Sequence, residues 1–441
     1  MRAVRRTTTA TILGALLVPA TIATAQAPVQ PKWADEQTAP LTNGEDYSVE
    51  HVALSVGGGA TAGLALDDAA GRVPLIIERA ATGPAWGAPV PLAAAGRVDI
   101  GPLVARNDRG DAVAVWGSTG GPILAAVRVG STWSKPAEIG SPVPTLRTGR
   151  PDDSIKVAIG ADRIARVSVL TCAGGCALVV FSRAVKGNAW TASDRLKTPA
   201  DATPTIGWSV GTTGHTLVTW RKGTRILAVR RAPSDKKWQV KPDQLKVGDA
   251  GGTLSTAVGA AGEMAIGWPT AQGAGASVRL PRDLRWGAPR RVTRTAGAGE
   301  PTVGLGCEGS IVLAWTQPDA ATTVVFASAG HGTDGLLADP GKIGTYGRED
   351  RALRVTNATL LGTSGLGFVS WARAEGDALG AGSARPNDGD TQIGGLGFSG
   401  TFRLSPTPVF TADGKGLVVA TSRDGLEFQE FTPGEDRVRC P

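Results

Sequence analysis

Histidine, the side chain best suited to metal ligation and proton transfer near neutral pH, occurs only three times in 441 residues: His51, His215 and His331. The three lie far apart, so a metal centre would need distant segments to converge. No HExxH pair, GxSxG elbow or glycine-rich phosphate loop is present. Asn387-Asp388-Gly389-Asp390 offers oxygens for calcium, but departs from DxDxDG spacing and reads as a solvated turn. The expectation is no metal, no cofactor and no assigned catalytic residue.

Cysteine chemistry points to cross-linking. Cys172 and Cys176 flank Ala-Gly-Gly between two strand-like runs. A hairpin there would place them as a cross-strand pair near the ~5.5 Å Cα separation a disulfide prefers. Cys307 and Cys440 then pair by elimination. An even cysteine count suits an oxidising compartment, and the N-terminus agrees. Arg2, Arg5 and Arg6 precede a short apolar stretch from Ala10 to Ala23, with Ala23-Thr24-Ala25 or Ala25-Gln26-Ala27 as the cleavage site. Residues 1–27 are expected to be a signal peptide and the mature chain secreted, with no anchor and no membrane insertion. Three of the 46 basic residues lie in that segment, leaving 43 against 39 acids, a net of +4. Such a balance is not the footprint of a nucleic-acid binder.

Binding chemistry concentrates in one region. Arg221, Lys222, Arg225, Arg230, Arg231, Lys236 and Lys237 are followed by Arg290, Arg291 and Arg294. On adjacent elements these could attract an acidic cell-surface polymer. The alternative is a solvated edge, with Asp235 and Asp243 interspersed. Trp208 is a further candidate for a surface or channel contact. The expected ligand-binding residues are therefore Trp208, Arg221, Arg225, Arg230, Arg290 and Arg291.

The elements that must position these residues recur. A glycine followed six residues later by a tryptophan ends a short apolar run at Gly110…Trp116, Gly214…Trp220, Gly262…Trp268, Gly309…Trp315 and Gly365…Trp371. The frame continues at Gly59…Ala65, Arg163…Val169 and Gly414…Ala420. Its last residues fall 47 to 56 residues apart, giving eight copies of one unit. Each unit holds about four strand-sized segments bounded by Gly, Asp, Asn and Pro, an all-β signal. The second segment (AVAVW, TLVTW, IVLAW) has no polar face and must be covered on both sides. The frame glycine belongs at a hairpin tip with positive φ. A second series, Trp33, Trp86, Trp133, Trp190, Trp238 and Trp286, marks the fourth segment. Eleven of the twelve tryptophans are thus fixed to the repeat, as packing between units demands; Trp208 is the exception.

Trp33 precedes any complete unit, and the last unit ends without a fourth strand. Ring closure explains both, because joining start to end removes an exposed sheet edge. The expected fold is a single eight-bladed β-propeller spanning 28–441, with four-stranded blades near 44–95, 96–148, 151–198, 199–247, 248–297, 298–347 and 350–400. The eighth is built from 401–441 with the N-terminal strand at 30–43. Seven blades are the alternative if the glycine-rich Asp377–Thr401 is irregular.

Runs such as GDAVAVW…ILAAVR…WSKPAEIG resemble the repeats of secreted bacterial β-propellers of sialidase-like type, over most of residues 44–430. The resemblance is to the repeat grammar. It implies no sialidase chemistry: Tyr47 and Tyr346 are the only tyrosines, and neither has the context of a nucleophile with a glutamate partner. Asp108-x-Gly110 and Asp413-Gly414 match only fragments of the S-x-D-x-G-x-T-W box, in the first hairpin of their units and not the last. The function expected is non-enzymatic binding of an extracellular ligand, an acidic polymer or a protein, by a monomer at one rim of the ring. The alternative is a polysaccharide hydrolase or lyase. That would need acids such as Asp99, Asp152, Asp153, Glu300, Glu349 or Asp350 to converge about 5–10 Å apart in the central funnel.

Overall fold

The computed structural model describes residues 32–432 with interruptions. Residues 1–31, 141–153, 331–340, 385–408 and 433–441, and shorter stretches in several turns, lie outside the described residues. So do the expected signal segment, His331, Asn387–Asp390, Cys307 and Cys440. Every named element is a β-strand.

Among the described residues, eight antiparallel sheets follow one another along the chain. We number them in chain order: sheet 1 (46–91), sheet 2 (100–140), sheet 3 (155–197), sheet 4 (207–246), sheet 5 (255–293), sheet 6 (302–347), sheet 7 (354–384) and sheet 8 (409–432). Each is a meander in which neighbours in sequence are neighbours in space. In sheets 2 and 3 the fourth strand is broken, and a serine bridges the break. Ser134 Oγ accepts from Val127 N at 3.1 Å, and Ser193 Oγ from Val180 N at 3.0 Å.

The all-apolar second strands are buried on both faces, as in Ala112–Gly117 and Met264–Thr270. Trp116, Trp268, Trp315 and Trp371 are among the largest fully buried side chains. Each removes 150–250 Å² from water and contributes several kcal/mol at about 25 cal/mol per Å². The covering surface comes from the next sheet. Shared core clusters join sheets 8 and 1, 1 and 2, 2 and 3, 3 and 4, and 4 and 5, while one larger cluster spans sheets 5, 6 and 7. Between sheets 7 and 8 lie residues 385–408, outside the described part.

Sheet 8 is completed by the beginning of the chain. Lys32–Trp33 pairs with Thr432 and Phe431, and Gln37–Ala39 pairs with Phe428, Glu427 and Leu426. Ala39 and Leu41 pack against a cluster that includes Leu417 and Phe428 of sheet 8 and Leu64 of sheet 1. The strand carrying Val418 lies next but one to Trp33 in this sheet.

The hairpin glycines take the positive φ their positions require: Gly110 (80°), Gly214 (94°), Gly262 (94°) and Gly309 (77°). Sheet 1 differs from the expected frame. Its turn residue is Gly58 (87°), not Gly59. Gly58 N bonds Ser55 O, just as Gly110 N bonds Asn107 O. The frame residue there is Leu64, not Ala65, and Leu64 is the one packed between sheets 8 and 1. Three consecutive glycines, 57 to 59, left the choice open in the sequence. In sheet 3 the same place is held by Arg163 at φ 59°, where a side chain costs roughly 1 kcal/mol or more.

Candidate functional site

The turns between first and second strands of sheets 1–4 share one end of the array and are laced together. Lys415 Nζ donates to Val56 O at 3.0 Å, tying sheet 8 to sheet 1, and Val56 N donates to Asp108 Oδ1 of sheet 2 at 2.7 Å. Asn107 Nδ2 donates to Gly160 O at 3.0 Å, and Arg163 clasps both Asp111 oxygens at 2.7 Å, joining sheets 2 and 3. Arg166 Nη1 reaches Thr212 O of sheet 4 at 3.0 Å. Burial alone would raise the Asp111 carboxyl, but hydrogen bonds from Arg163 and Asn107 outweigh it and hold that group below its ordinary value.

An arginine recurs at this same end in five consecutive sheets, buried at Arg79, Arg183, Arg231 and Arg279 and half-buried at Arg128. Four of them pair in register with the first residue of the preceding strand, and Arg183 pairs with the second, Ala165. Four of them caps a nearby turn: Arg79 Nη2 to Gly58 O (2.9 Å), Arg128 Nη1 to Gly110 O (2.6 Å), Arg183 Nε to Gly187 O (2.8 Å) and Arg231 Nη1 to Asp235 O (2.8 Å). Arg79 also pairs with Glu430 of sheet 8. The guanidinium carbons of Arg79 and Arg231 lie 5.8 Å from the ring centroids of Trp86 and Trp238. Desolvation lowers the pKa of Arg183, Arg231 and Arg279, though an arginine stays charged. None of the five was singled out as a binding residue in the sequence except as part of the basic run at Arg231. The signal that could have found them is Arg followed seven residues later by Trp, seen at 79/86, 183/190, 231/238 and 279/286.

The opposite end of sheet 4 is built differently. Across the hairpin Thr216–Lys222/Arg225–Arg231 and the strand Asp243–Lys246, Lys222 pairs in register with Arg225, and Arg225 with Lys246. Three cations thus stand side by side on three neighbouring strands, all exposed. Arg225 Nη1 donates to the neutral Gln244 Oε1 at 2.6 Å. No carboxylate lies within ion-pair distance of Lys222, Arg225 or Lys246 among the described residues. Like charges directly opposite each other in a sheet are destabilising by a few tenths of a kcal/mol or more. Half-buried Arg221, next to Lys222, is paired with Ile226, and exposed Arg291 of sheet 5 donates to Val247 O just beyond Lys246.

The structure therefore divides the sequence-derived candidates. Arg221, Arg225 and Arg291 come together at this cationic edge. Arg230 does not: it lies at the far end of its strand, 3.3 Å from Asp243. Arg290 is half-buried, one residue before Arg291 in the fourth strand of sheet 5. Trp208 must be corrected. It is 4% exposed, packed with Leu170, Leu178, Val218 and Trp220 between sheets 3 and 4, with Lys156 Nζ 5.3 Å from its ring centroid. Its place outside the two tryptophan series reflects a first-strand packing position, not a surface contact. Cys172 and Cys176 form a disulfide at the end of the sheet 3 hairpin, with Cα atoms 4.0 Å apart, closer than expected because they are directly opposed in register.

Of the acids considered for catalysis, Asp152, Asp153, Glu349 and Asp350 lie outside the described residues. Asp99 and Glu300 precede the first strands of sheets 2 and 6, with three sheets between them in sequence. A cluster the sequence did not suggest lies in sheet 1, at a bulge between Val49 and His51. Ser48 Oγ donates to Glu50 Oε1 at 2.7 Å, and Arg72 joins Ser48, Glu50 and Asp67. One guanidinium there serves two carboxylates, which leaves the network with one net negative charge. No group of three or more His, Cys, Asp or Glu side chains placed to hold a metal occurs among the described residues, and no described helix is long and apolar enough to cross a membrane.

No family model matches the chain, and no curated protein matches its sequence. Solved structures do resemble it. The propeller of Dos1 aligns with a TM-score of 0.50 at 10% identity, over 91% of this chain and 97% of that one. The WD40 domain of SCAP from fission yeast aligns with a TM-score of 0.50 at 10% identity, over 90% and 97%. YCF48 from Cyanidioschyzon merolae aligns at 0.43 and 13% identity, over 90% and 98%. At such identities the likeness concerns fold alone. The likeness to the Dos1 and SCAP propeller domains, together with consecutive antiparallel meanders among the described residues, makes this chain an all-β protein of the β-propeller fold.

Proposed function

We propose that this is a secreted, non-enzymatic, monomeric propeller of eight blades that binds an acidic polymer along the cationic edge of sheets 4 and 5. Residues 1–27 direct export, and residues 28–441 form the ring, closed by the strand at 30–43. The observation that carries the binding reading is the in-register row Lys222–Arg225–Lys246, flanked by Arg221 and Arg291. A sheet gains nothing in stability from three adjacent like charges. A polyanion laid across the row would supply the missing countercharge, with an on-rate and affinity that fall as salt rises.

The test is binding of the mature protein to polygalacturonate, with neutral pullulan as control. Replacing Lys222, Arg225 and Lys246 together by Gln is expected to weaken polygalacturonate binding at least tenfold and leave pullulan unaffected. Equal retention of both polymers, or full binding by the triple variant, would overturn the reading.

A further inference from the structure

At the other end of the same sheet, the connection between Arg231 and Asp243 encloses an open cleft of about 590 Å³. That is within the size range of small-ligand and peptide pockets. It lies about 17 Å from the cationic edge, the length of the strand from Arg225 to Arg230 at 3.3 Å per residue.

The cleft is held open by sheet 3. Asp194 N donates to Lys236 O at 3.2 Å, and Trp238 Nε1 donates to Asp194 O at 2.7 Å. Trp238 is buried at the floor, and Arg231 lies over its ring. Its aromatic face and its N–H are both engaged, so it offers no platform for stacking a sugar. The rim offers other chemistry. Val240 is 98% exposed, one of two large apolar side chains exposed among the described residues. Lys236 and Lys237 are exposed and have no carboxylate partner among the described residues. Gln239 Oε1 is buried without a donor, while its Nε2 donates to Lys241 O and Asp243 Oδ1, each at 2.8 Å. Arg230 is engaged by Asp243, so the two lysines supply the available positive charge, against Asp235.

The geometry points to this cleft as a docking site for a short acidic peptide segment of a partner protein, with carboxylates on Lys236 and Lys237 and an aliphatic side chain against Val240. A polysaccharide is disfavoured by the occupied tryptophan face. The site is separate from the polymer edge and does not depend on it.

Fluorescence anisotropy with a labelled hexapeptide of alternating Glu and Leu tests this, with a Gln/Leu peptide as control. The acidic peptide is expected to bind and the control to bind at least tenfold more weakly. Val240→Asp, and separately Lys236→Glu with Lys237→Glu, should each weaken the acidic peptide at least fivefold at unchanged melting temperature. The Lys222/Arg225/Lys246 triple variant should leave this affinity unchanged. Absence of binding, insensitivity to both cleft variants, or displacement of the peptide by galacturonate oligomers would overturn the proposal, whatever the outcome for polygalacturonate at the opposite edge.

Discussion

The same residue type has two opposite fates at the two ends of this propeller. At the end where first and second strands turn, arginines are committed: buried Arg79 to Glu430 and Gly58, half-buried Arg163 to Asp111, buried Arg231 to Asp235. At the other end of sheet 4, Lys222, Arg225 and Lys246 stand exposed in a row with no acid paired to them among the described residues. A cation that bonds backbone carbonyls of neighbouring turns is part of the frame. One that faces like charges and no carboxylate adds little to the frame and is available to a partner. Charge count alone does not separate these cases; register and burial do.

The committed end can be broken in graded steps. Deleting residues 28–43 removes the strands paired with Gly425–Thr432 and the packing of Ala39 and Leu41. Calorimetry should show a loss on the order of 5 kcal/mol, a melting temperature lower by roughly 10 °C, and aggregation through the bared edge. Unchanged melting would refute closure by the N-terminal strand. Arg79→Met strips the guanidinium from Gly58 and Glu430 and should cost about 3 kcal/mol in denaturant unfolding. Arg79→Lys would restore charge but not the forked geometry, and should recover little of that loss.

Two smaller effects carry a pH signature. The Asp111 carboxyl is held below its ordinary value, so its stabilisation is present above about pH 4 and lost as pH falls through the folded value. Asp111→Asn should cost about 1–2 kcal/mol at neutral pH, and the gap to wild type should close in acid. His215 acts in the same direction at a higher pH and for a different reason. Desolvation lowers its pKa, with Glu263 opposing and Arg166 and Arg279 assisting. The unfolded chain then binds the proton more readily, so stability is complete above about pH 6.5 and declines as pH falls through that point. His215→Asn should flatten this part of the stability curve between pH 7 and 5, with a change under about 1 kcal/mol at pH 7.5.

Most of the architecture was legible because it repeats. Glycine, five residues and tryptophan placed a turn and a buried second strand in unit after unit, and the early Trp33 pointed to pairing with the chain's end. The exception in sheet 1 arose where Gly57, Gly58 and Gly59 made the turn position degenerate. The site was less legible. Sequence proximity grouped Arg230 with Arg225, but a strand separates residues five apart by its whole length and sends them to opposite ends. Pairing of Lys246 with Arg225 joins residues 21 apart through a register that composition does not reveal. Trp208 misled because departure from a repeat was taken for exposure, whereas any first-strand position facing the neighbouring sheet is core.

The comparison between the ends is tested most directly by the melting temperature of the Lys222→Gln, Arg225→Gln, Lys246→Gln variant. Removing three mutually repelling charges that no described acid pairs with should leave it equal to that of the wild type or slightly higher. A fall of several degrees would show that these cations belong to the frame after all.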